Sequence, residues 1–76
     1  MKDSLETIIT SLVNDPSKVS INQVDGEKEI TFEVHVAEGD MGKVIGKEGR
    51  IAKAIRTIIR AQASKEGKKV SVEFVD

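Results

Sequence analysis

Two glycines, Gly46 and Gly49, lie between two stretches of helical periodicity and enclose only the charged dipeptide Lys47-Glu48. Glycine lacks a Cβ and adopts positive φ readily, so this spacing favours a tight turn whose main chain a ligand can approach. The helix predicted to follow would direct its unpaired N–H groups and positive dipole end toward that turn. The segment therefore predicts an anion site, although a plain helical turn with a solvated basic surface satisfies the same spacing.

The length and composition of the chain predict one small domain. Its 76 residues would bury about 60% of the unfolded surface, so a partner subunit would add useful stability. The absence of cysteine excludes disulfide bonds and thiolate zinc sites and is compatible with a reducing compartment. No apolar segment has the length of a signal peptide or a membrane span. We therefore expect a cytoplasmic protein with no membrane contact.

The formal net charge of −1 conceals a polarised distribution. Residues 1–40 carry three basic and nine acidic side chains, a formal charge of −6. Residues 61–76 carry three basic and three acidic side chains, so their formal charge is zero. Residues 41–60 carry six basic side chains against Glu48 alone, a formal charge of +5. The positive field is concentrated at the glycine turn, which favours binding of an anion at that site over attraction through total charge.

The first half of the chain has the pattern of a helix followed by a β-hairpin. Residues 5–13 repeat apolar side chains at the helical period, and Pro16 prevents the helix from continuing. Residues 19–24 and 27–36 are strand-like and flank Asp25-Gly26, a dipeptide suited to a two-residue type I′ turn. The predicted register aligns apolar side chains on one face: Ile21 opposite Ile30, and Val19 opposite Phe32.

The second half predicts two helices and a strand. A short helix beginning near Asp40 precedes the glycine turn, and a longer helix runs from about residue 50 to 64, with its exit near Gly67. Residues 70–74 then alternate apolar and polar side chains, as a strand with one buried face does. The order αββααβ predicts a two-layer α+β domain whose helices cover one face of a three-stranded mixed sheet.

The segment Val44-Ile45-Gly46-Lys47-Glu48-Gly49-Arg50, in this order of elements, resembles the Ile-Gly-x-x-Gly motif of a type II KH domain. The resemblance covers essentially the whole chain, as a single domain over residues 1–76, and the run 42–56 is similar to that of the bacterial KhpA family. It implies that the loop at 46–49 grips the backbone of about four nucleotides of single-stranded RNA, beside an apolar groove for the bases.

Carried over by position, the resemblance assigns RNA binding to a set around the loop: Ile45, Gly46, Lys47, Glu48, Gly49, Arg50, Ala52 and Lys53. Lys47 and Arg50 are also favoured by their place at a helix N-terminus, where an anion is stabilised. Glu48 places a carboxylate in the loop, and Ala52 stands where many KH sequences have isoleucine. We therefore expect modest affinity and leave the base preference open.

The apolar side of the long helix spans about 200°, about twice the width that packing on a sheet requires. Small side chains on a surplus face favour a two-fold homodimer, and an apolar RNA groove without a dimer is the alternative. The resemblance to KhpA implies pairing with itself and with a larger KH-containing protein, KhpB, also called Jag or EloR. The predicted dimer interface consists of Ala52, Ile55, Ile59 and Ala63.

These patterns favour a non-catalytic protein that binds single-stranded RNA. The resemblance implies an RNA chaperone or post-transcriptional regulator acting with a KhpB-type partner, linked to cell elongation, cell shape and cell-wall homeostasis. The alternative is a protein–protein adaptor whose RNA binding is weak or supplied by the partner. His35 is a lone histidine and the spacing of Gly42, Gly46 and Lys47 is one residue short of a Walker loop. We predict no enzyme activity, metal, cofactor or small-molecule substrate.

Overall fold

The computed structural model describes residues 1–75, and these residues form helices and strands in the predicted αββααβ order. The prediction of a single domain over 1–76 includes Asp76, which lies outside the described residues. Short 3₁₀ turns occupy Pro16–Lys18 and Lys47–Gly49. The elements are α1 (Lys2–Leu12), β1 (Ser20–Asp25), β2 (Glu29–His35), α2 (Met41–Ile45), α3 (Arg50–Lys65) and β3 (Lys69–Val75).

Over residues 1–75 the sheet has three strands in the order β1-β2-β3, with β1 antiparallel and β3 parallel to β2. The parallel pairing follows from the connection, because α2 and α3 carry the chain back before β3 begins. This topology confirms the predicted mixed sheet of an α+β domain with the element order of a type II KH fold.

The helices pack on one face of the sheet, where the alternating strand residues Ile30, Phe32 and Val34 are buried. Leu5 and Ile9 of α1 join the same cluster and are fully buried. The opposite sheet face has a polar character and is open, since the intervening residues of β2 are threonine, glutamate and histidine. The alternation predicted from the sequence therefore assigns the two faces of β2 correctly.

The hairpin register differs from the prediction. Ile21 pairs with Val34 and Asp25 with Ile30, so the pairing is shifted by four residues and the bend falls at Glu27-Lys28 instead of Asp25-Gly26. Gly26 has a negative φ, which a type I′ turn does not allow, and its N–H donates to the Glu29 carbonyl at 2.7 Å. The predicted turn is wrong, yet an even shift keeps the same side chains on the core face.

Asp40 occupies the N-cap position of α2, where the sequence predicted the helix to begin, but its carboxylate makes no capping hydrogen bond to the helix. The side chain is only 4% exposed, and its Oδ2 accepts a hydrogen bond from the Asp15 main-chain N–H at 3.1 Å. The bond joins the connection after α1 to the residue before α2, across 25 positions of sequence. It thereby anchors the short helix that leads into the glycine loop.

The α3 helix ends near Gly67, as predicted. Gly67 has a φ of 70°, its N–H donates to the Ser64 carbonyl at 3.0 Å, and the Lys68 N–H donates to the Ala63 carbonyl at 2.9 Å. This pair of bonds is a Schellman motif, which satisfies the last helical carbonyls with main-chain donors. Within residues 1–75, no helix has the length and apolar character needed to cross a bilayer.

Candidate nucleic-acid interface

The glycine loop, residues 46–49, is built from a run of left-handed backbone. Gly46, Glu48 and Gly49 have φ values of 76°, 55° and 72°. The Gly46 N–H closes the last turn of α2 on the Gly42 carbonyl at 2.9 Å, and α3 begins at Arg50. The chain therefore leaves one helix and enters the next within four residues, as the spacing of the glycines predicts.

The two glycines are required for different reasons. Gly46, with φ 76° and ψ 176°, occupies a backbone region that is essentially limited to glycine. A Cβ at this position would also lie 2.6 Å from Cγ1 of Ile51, which is a clash. A Cβ on Gly49 would meet no atom within 4 Å, so only its positive φ favours glycine. Ile51 thus covers the loop from the first turn of α3, a role that the sequence analysis did not assign.

The N-terminus of α3 is open to a ligand. Gly49 occupies the N-cap position and offers no side-chain acceptor for the N–H groups of the first turn. Lys47 and Arg50 are exposed on either side of this helix end and line a shallow depression together with Glu48. The N–H groups of Gly49 and Arg50 already bond to the Gly46 and Lys47 carbonyls, so the helix dipole and two cations are what meet at this place. Positive charge at a helix N-terminus stabilises a phosphate.

Glu48 turns its carboxylate toward Arg50. Its Oε2 lies 3.4 Å from Arg50 Nη2, and both side chains are 80% exposed, in the one ion pair found among residues 1–75. An exposed pair of this kind contributes only about 0.2–1 kcal/mol, so a phosphate can displace the carboxylate. Glu48 is also the one residue other than glycine with positive φ in the described part of the chain, which adds strain to the loop.

α3 packs beside β3, and we call the surface where the two elements meet the α3–β3 groove. Arg56 of α3 spans it, because its Nε donates to the Val72 carbonyl of β3 at 3.1 Å. The guanidinium carbon also lies 5.4 Å from the ring centroid of Phe74, within the range of a cation–π contact. Phe74 is half-buried and packs against the edge of the core.

The sequence analysis missed the position of Arg56. On the helical wheel this residue adjoins Ala52 and Ala63, whose methyl groups allow a helix to approach a strand closely. The available signal was an arginine beside two alanines at the edge of the buried side of α3. The aliphatic part of an arginine can pack there while its guanidinium reaches a polar partner.

The remaining predicted RNA-binding residues divide into exposed and buried positions. Lys53 is exposed one turn beyond Gly49, and Ile45 is half-buried against the core at the end of α2. Ala52 is only 2% exposed, so it has almost no surface to offer a nucleotide. Its prediction as an RNA contact is corrected by this burial.

The predicted dimer surface is also corrected. Sheet and helices bury a wider part of α3 than we expected, and the apolar surface that remains lies on another side of the helix. There Ile58 is 46% exposed, and Ala54 and Ala61 are exposed beside it. The four residues predicted to meet a second chain all lie inside the monomer: Ala52 and Ile55 are 2% exposed, Ala63 1% and Ile59 0%.

A solved structure supports the fold. The crystal structure of Era from Aquifex aeolicus, bound to GDP and aluminium fluoride, superimposes with a TM-score of 0.67 over 92% of this chain and 27% of that chain. The sequence identity is 20%, so this likeness concerns the fold alone.

Sequence relatives identify the family. The proteins named RNA-binding protein KhpA from Clostridium acetobutylicum and Clostridium perfringens are 59% and 56% identical over 75 residues, covering 99% of this chain and 100% of each relative. The protein of that name from Chlamydia trachomatis is 46% identical, covering 100% of this chain and 97% of the relative. None of these names denotes an enzyme, in agreement with our prediction. The family model described as KhpA/KhpB, KH domain, matches residues 2–74, and the chain belongs to this family.

Proposed function

We propose that residues 1–76 act as a single KH domain that binds single-stranded RNA without catalysis. The glycine loop carries this proposal, because its left-handed backbone presents the uncapped N-terminus of α3 between two exposed cations, Lys47 and Arg50. Three relatives bearing the name RNA-binding protein KhpA support the same function.

The geometry supports binding of the RNA phosphates at the glycine loop and of the bases at the α3–β3 groove. The positive dipole end of α3 and the Lys47 ammonium attract the phosphates, while Arg50 exchanges its bond with Glu48 for one with the RNA. Lys53 extends the positive surface by one helical turn. The bases enter the α3–β3 groove, where Phe74 and Arg56 offer an aromatic surface and a donor head. Because phosphate contacts carry no sequence information, we expect low base selectivity from the loop itself.

Fluorescence anisotropy with a labelled single-stranded RNA tests the loop. A variant carrying Lys47→Asp and Glu48→Asp reverses the cation, and Asp tolerates the left-handed backbone at position 48. We expect affinity to fall at least tenfold, whereas Lys18→Asp, with the same change in net charge at an exposed distant site, should change it little. Equal affinity of wild type and loop variant would contradict the proposal.

We further propose that the protein assembles through the exposed side of α3, defined by Ala54, Ile58 and Ala61. The 46% exposed Ile58 and the two exposed alanines beside it form a small apolar patch, and such patches mark interaction sites. A second copy and a KhpB (Jag/EloR)-type protein are the proposed occupants. In that complex the protein would serve in the cytoplasm as an RNA chaperone or post-transcriptional regulator, linked to cell elongation, cell shape and cell-wall homeostasis.

Sedimentation velocity distinguishes these states. We expect wild type to sediment as a dimer at micromolar concentration and Ile58→Arg to sediment as a folded monomer. A wild type that remains monomeric would contradict the homodimer. If Ile58→Arg abolished partner binding while loop variants retained normal function in cells, the alternative function as a protein–protein adaptor would be favoured.

A further inference from the structure

We propose that the free edge of β1 is a second assembly surface, at which two copies of the chain pair strand to strand and join their sheets. Within residues 1–75, β1 lies at one side of the sheet and pairs with β2 alone. Five of its six residues are exposed. This edge is separate from the side of α3 defined by Ala54, Ile58 and Ala61, so the inference goes beyond the proposed function and does not depend on it.

The hydrogen bonds of the hairpin show which main-chain groups of β1 are free. The Gly26 N–H donates to the Glu29 carbonyl at 2.7 Å, so Gly26 directs its main chain toward β2. Alternate residues of an antiparallel strand direct their main-chain groups to the same side, so Ser20, Asn22 and Val24 also face β2. The residues between them direct their N–H and C=O groups away from the sheet: Ile21, Gln23 and Asp25.

The rest of the sheet agrees with this alternation. The Lys69 N–H donates to the Lys28 carbonyl at 3.2 Å, so Lys69 and every second residue after it direct their main chain toward β2. Val72 belongs to the other set, and its carbonyl accepts a bond from Arg56 at 3.1 Å. The direction of the main-chain groups in all three strands is therefore consistent.

A second copy of β1 complements these free groups. A two-fold axis at Gln23 places this residue opposite itself and places Ile21 opposite Asp25 of the second copy. Each of the three outward-facing residues then donates one bond and accepts one in both copies, which gives six main-chain hydrogen bonds. Paired residues also belong to the same face of the sheet, so the helices of both copies lie on one side of a continuous sheet.

Val24 supports this pairing. Its side chain is 49% exposed and lies on the open face of the sheet, where neither the core nor the apolar side of α3 accounts for it. In the two-fold register Val24 lies opposite Asn22 of the second copy. The two Val24 side chains become diagonal neighbours about 7–8 Å apart. Pairing would therefore cover an apolar side chain that a single domain exposes to water.

The charges at the two ends of β1 favour the antiparallel direction. Lys18 precedes the strand and is exposed. Asp25, Glu27 and Lys28 at the other end carry a formal charge of −1. An antiparallel copy brings the positive beginning of one strand to the negative end of the other. Because the new bonds largely replace bonds to water, we expect pairing at about millimolar concentration, above the range of the sedimentation experiment.

Exchange of main-chain N–H groups with water, measured by NMR, tests the pairing. The Ile58→Arg variant is used so that α3 does not contribute to association. Between about 20 μM and about 1 mM protein, exchange at Ile21, Gln23 and Asp25 should slow at least twofold, because the second copy accepts their bonds. The N–H groups of Asn22 and Val24 bond to β2 and should exchange slowly at both concentrations. Fast exchange of the first three at every concentration would overturn the proposal.

Proline at position 23 provides a variant that affects only the new bonds. The Gln23 N–H takes no part in the pairing of β1 with β2, so an edge proline is compatible with the monomer fold, and circular dichroism checks this. In Gln23→Pro we expect the concentration dependence at Ile21 and Asp25 to disappear. Gln23→Thr keeps the N–H and should behave as the parent protein does. Equal behaviour of the proline and threonine variants would contradict pairing through this edge.

Disulfide formation tests the register. The chain has no cysteine, so introduced thiols are the only ones present. Asn22→Cys and Val24→Cys proteins are mixed in equal amounts at about 1 mM and oxidised; in the two-fold register these positions are directly opposite, with Cβ atoms about 4.5–5.5 Å apart. We expect the mixed disulfide to exceed half of the dimeric product. A statistical mixture of the three disulfides would refute the two-fold register.

Discussion

Gly46 and Gly49 look equivalent in the sequence and are not equivalent in the fold. Both have positive φ, but Gly46 combines it with an extended ψ and with contact to Ile51, whereas Gly49 faces open space. The motif spacing predicted the turn but not this difference, because the clash depends on a side chain that only the folded helix brings over the loop.

We predict that Gly46→Ala is more damaging than Gly49→Ala. A left-handed alanine costs about 1–2 kcal/mol, which is the expected loss of unfolding free energy for Gly49→Ala. Gly46→Ala adds a near-forbidden backbone region and a clash, so we expect a loss of about 3 kcal/mol or more. Urea denaturation measures both values, and equal losses would show that the loop relaxes without cost.

Glu48 is unfavourable for both stability and ligand binding, since it is strained and attracts Arg50 away from a phosphate. We predict that Glu48→Asn raises the free energy of unfolding by about 0.5–1 kcal/mol, because asparagine tolerates the left-handed region. RNA affinity should increase several-fold in anisotropy measurements. Glu38→Asn removes the same charge from an exposed position outside the loop, and an equal gain from that control would refute the local explanation.

At the scale of elements, the repeat of apolar side chains predicted the order of helices and strands. Each element buries one side, and this burial imposes the repeat on its sequence. It could not predict which neighbours would cover α3, since alanine is compatible with a core, a groove or an interface. The hairpin turn was mispredicted for a similar reason. Asp25-Gly26 permits a type I′ turn, but β2 also pairs with β3 from Glu29 onward, and the sheet determines the register.

The contact between Asp40 and Asp15 holds the short helix α2 in place before the loop. We predict that Asp40→Ala lowers the unfolding free energy by about 1–3 kcal/mol, since it leaves a main-chain N–H without its acceptor. Asp15→Ala keeps that N–H and should cost less. Thermal unfolding of both variants measures the difference, and a neutral Asp40→Ala would show that the N–H finds another acceptor.

At the scale of the whole molecule, neighbouring isoleucines of α3 have opposite environments: Ile59 is fully buried and Ile58 is 46% exposed. We predict that Ile59→Arg unfolds the domain, because a charge would enter the core of a small and marginally stable protein. Ile58→Arg should keep the cooperative unfolding transition and affect association alone. Circular dichroism melts separate these outcomes, and a folded Ile59→Arg variant would contradict the burial assigned to this side chain.

The distribution of charge along the chain was predictable from the sequence. Which charged side chains the fold brings together was not. The segment 41–60 concentrates the positive charge, and folding divides it between the glycine loop and the side of α3 that faces β3. Arg60 illustrates the limit, because only the placement of β3 brings this residue of α3 to the same surface depression as Lys69.

The bond between Arg56 and Val72 has a consequence for behaviour at high concentration. Within residues 1–75, β3 pairs with β2 on one side only, so its other edge exposes a template on which a strand from another molecule could add. A charged side chain that crosses this edge and occupies a backbone carbonyl obstructs such addition. We therefore expect Arg56 to protect the free protein against edge-to-edge polymerisation, and Arg56→Ala should shorten the time before aggregates scatter light in a concentrated solution.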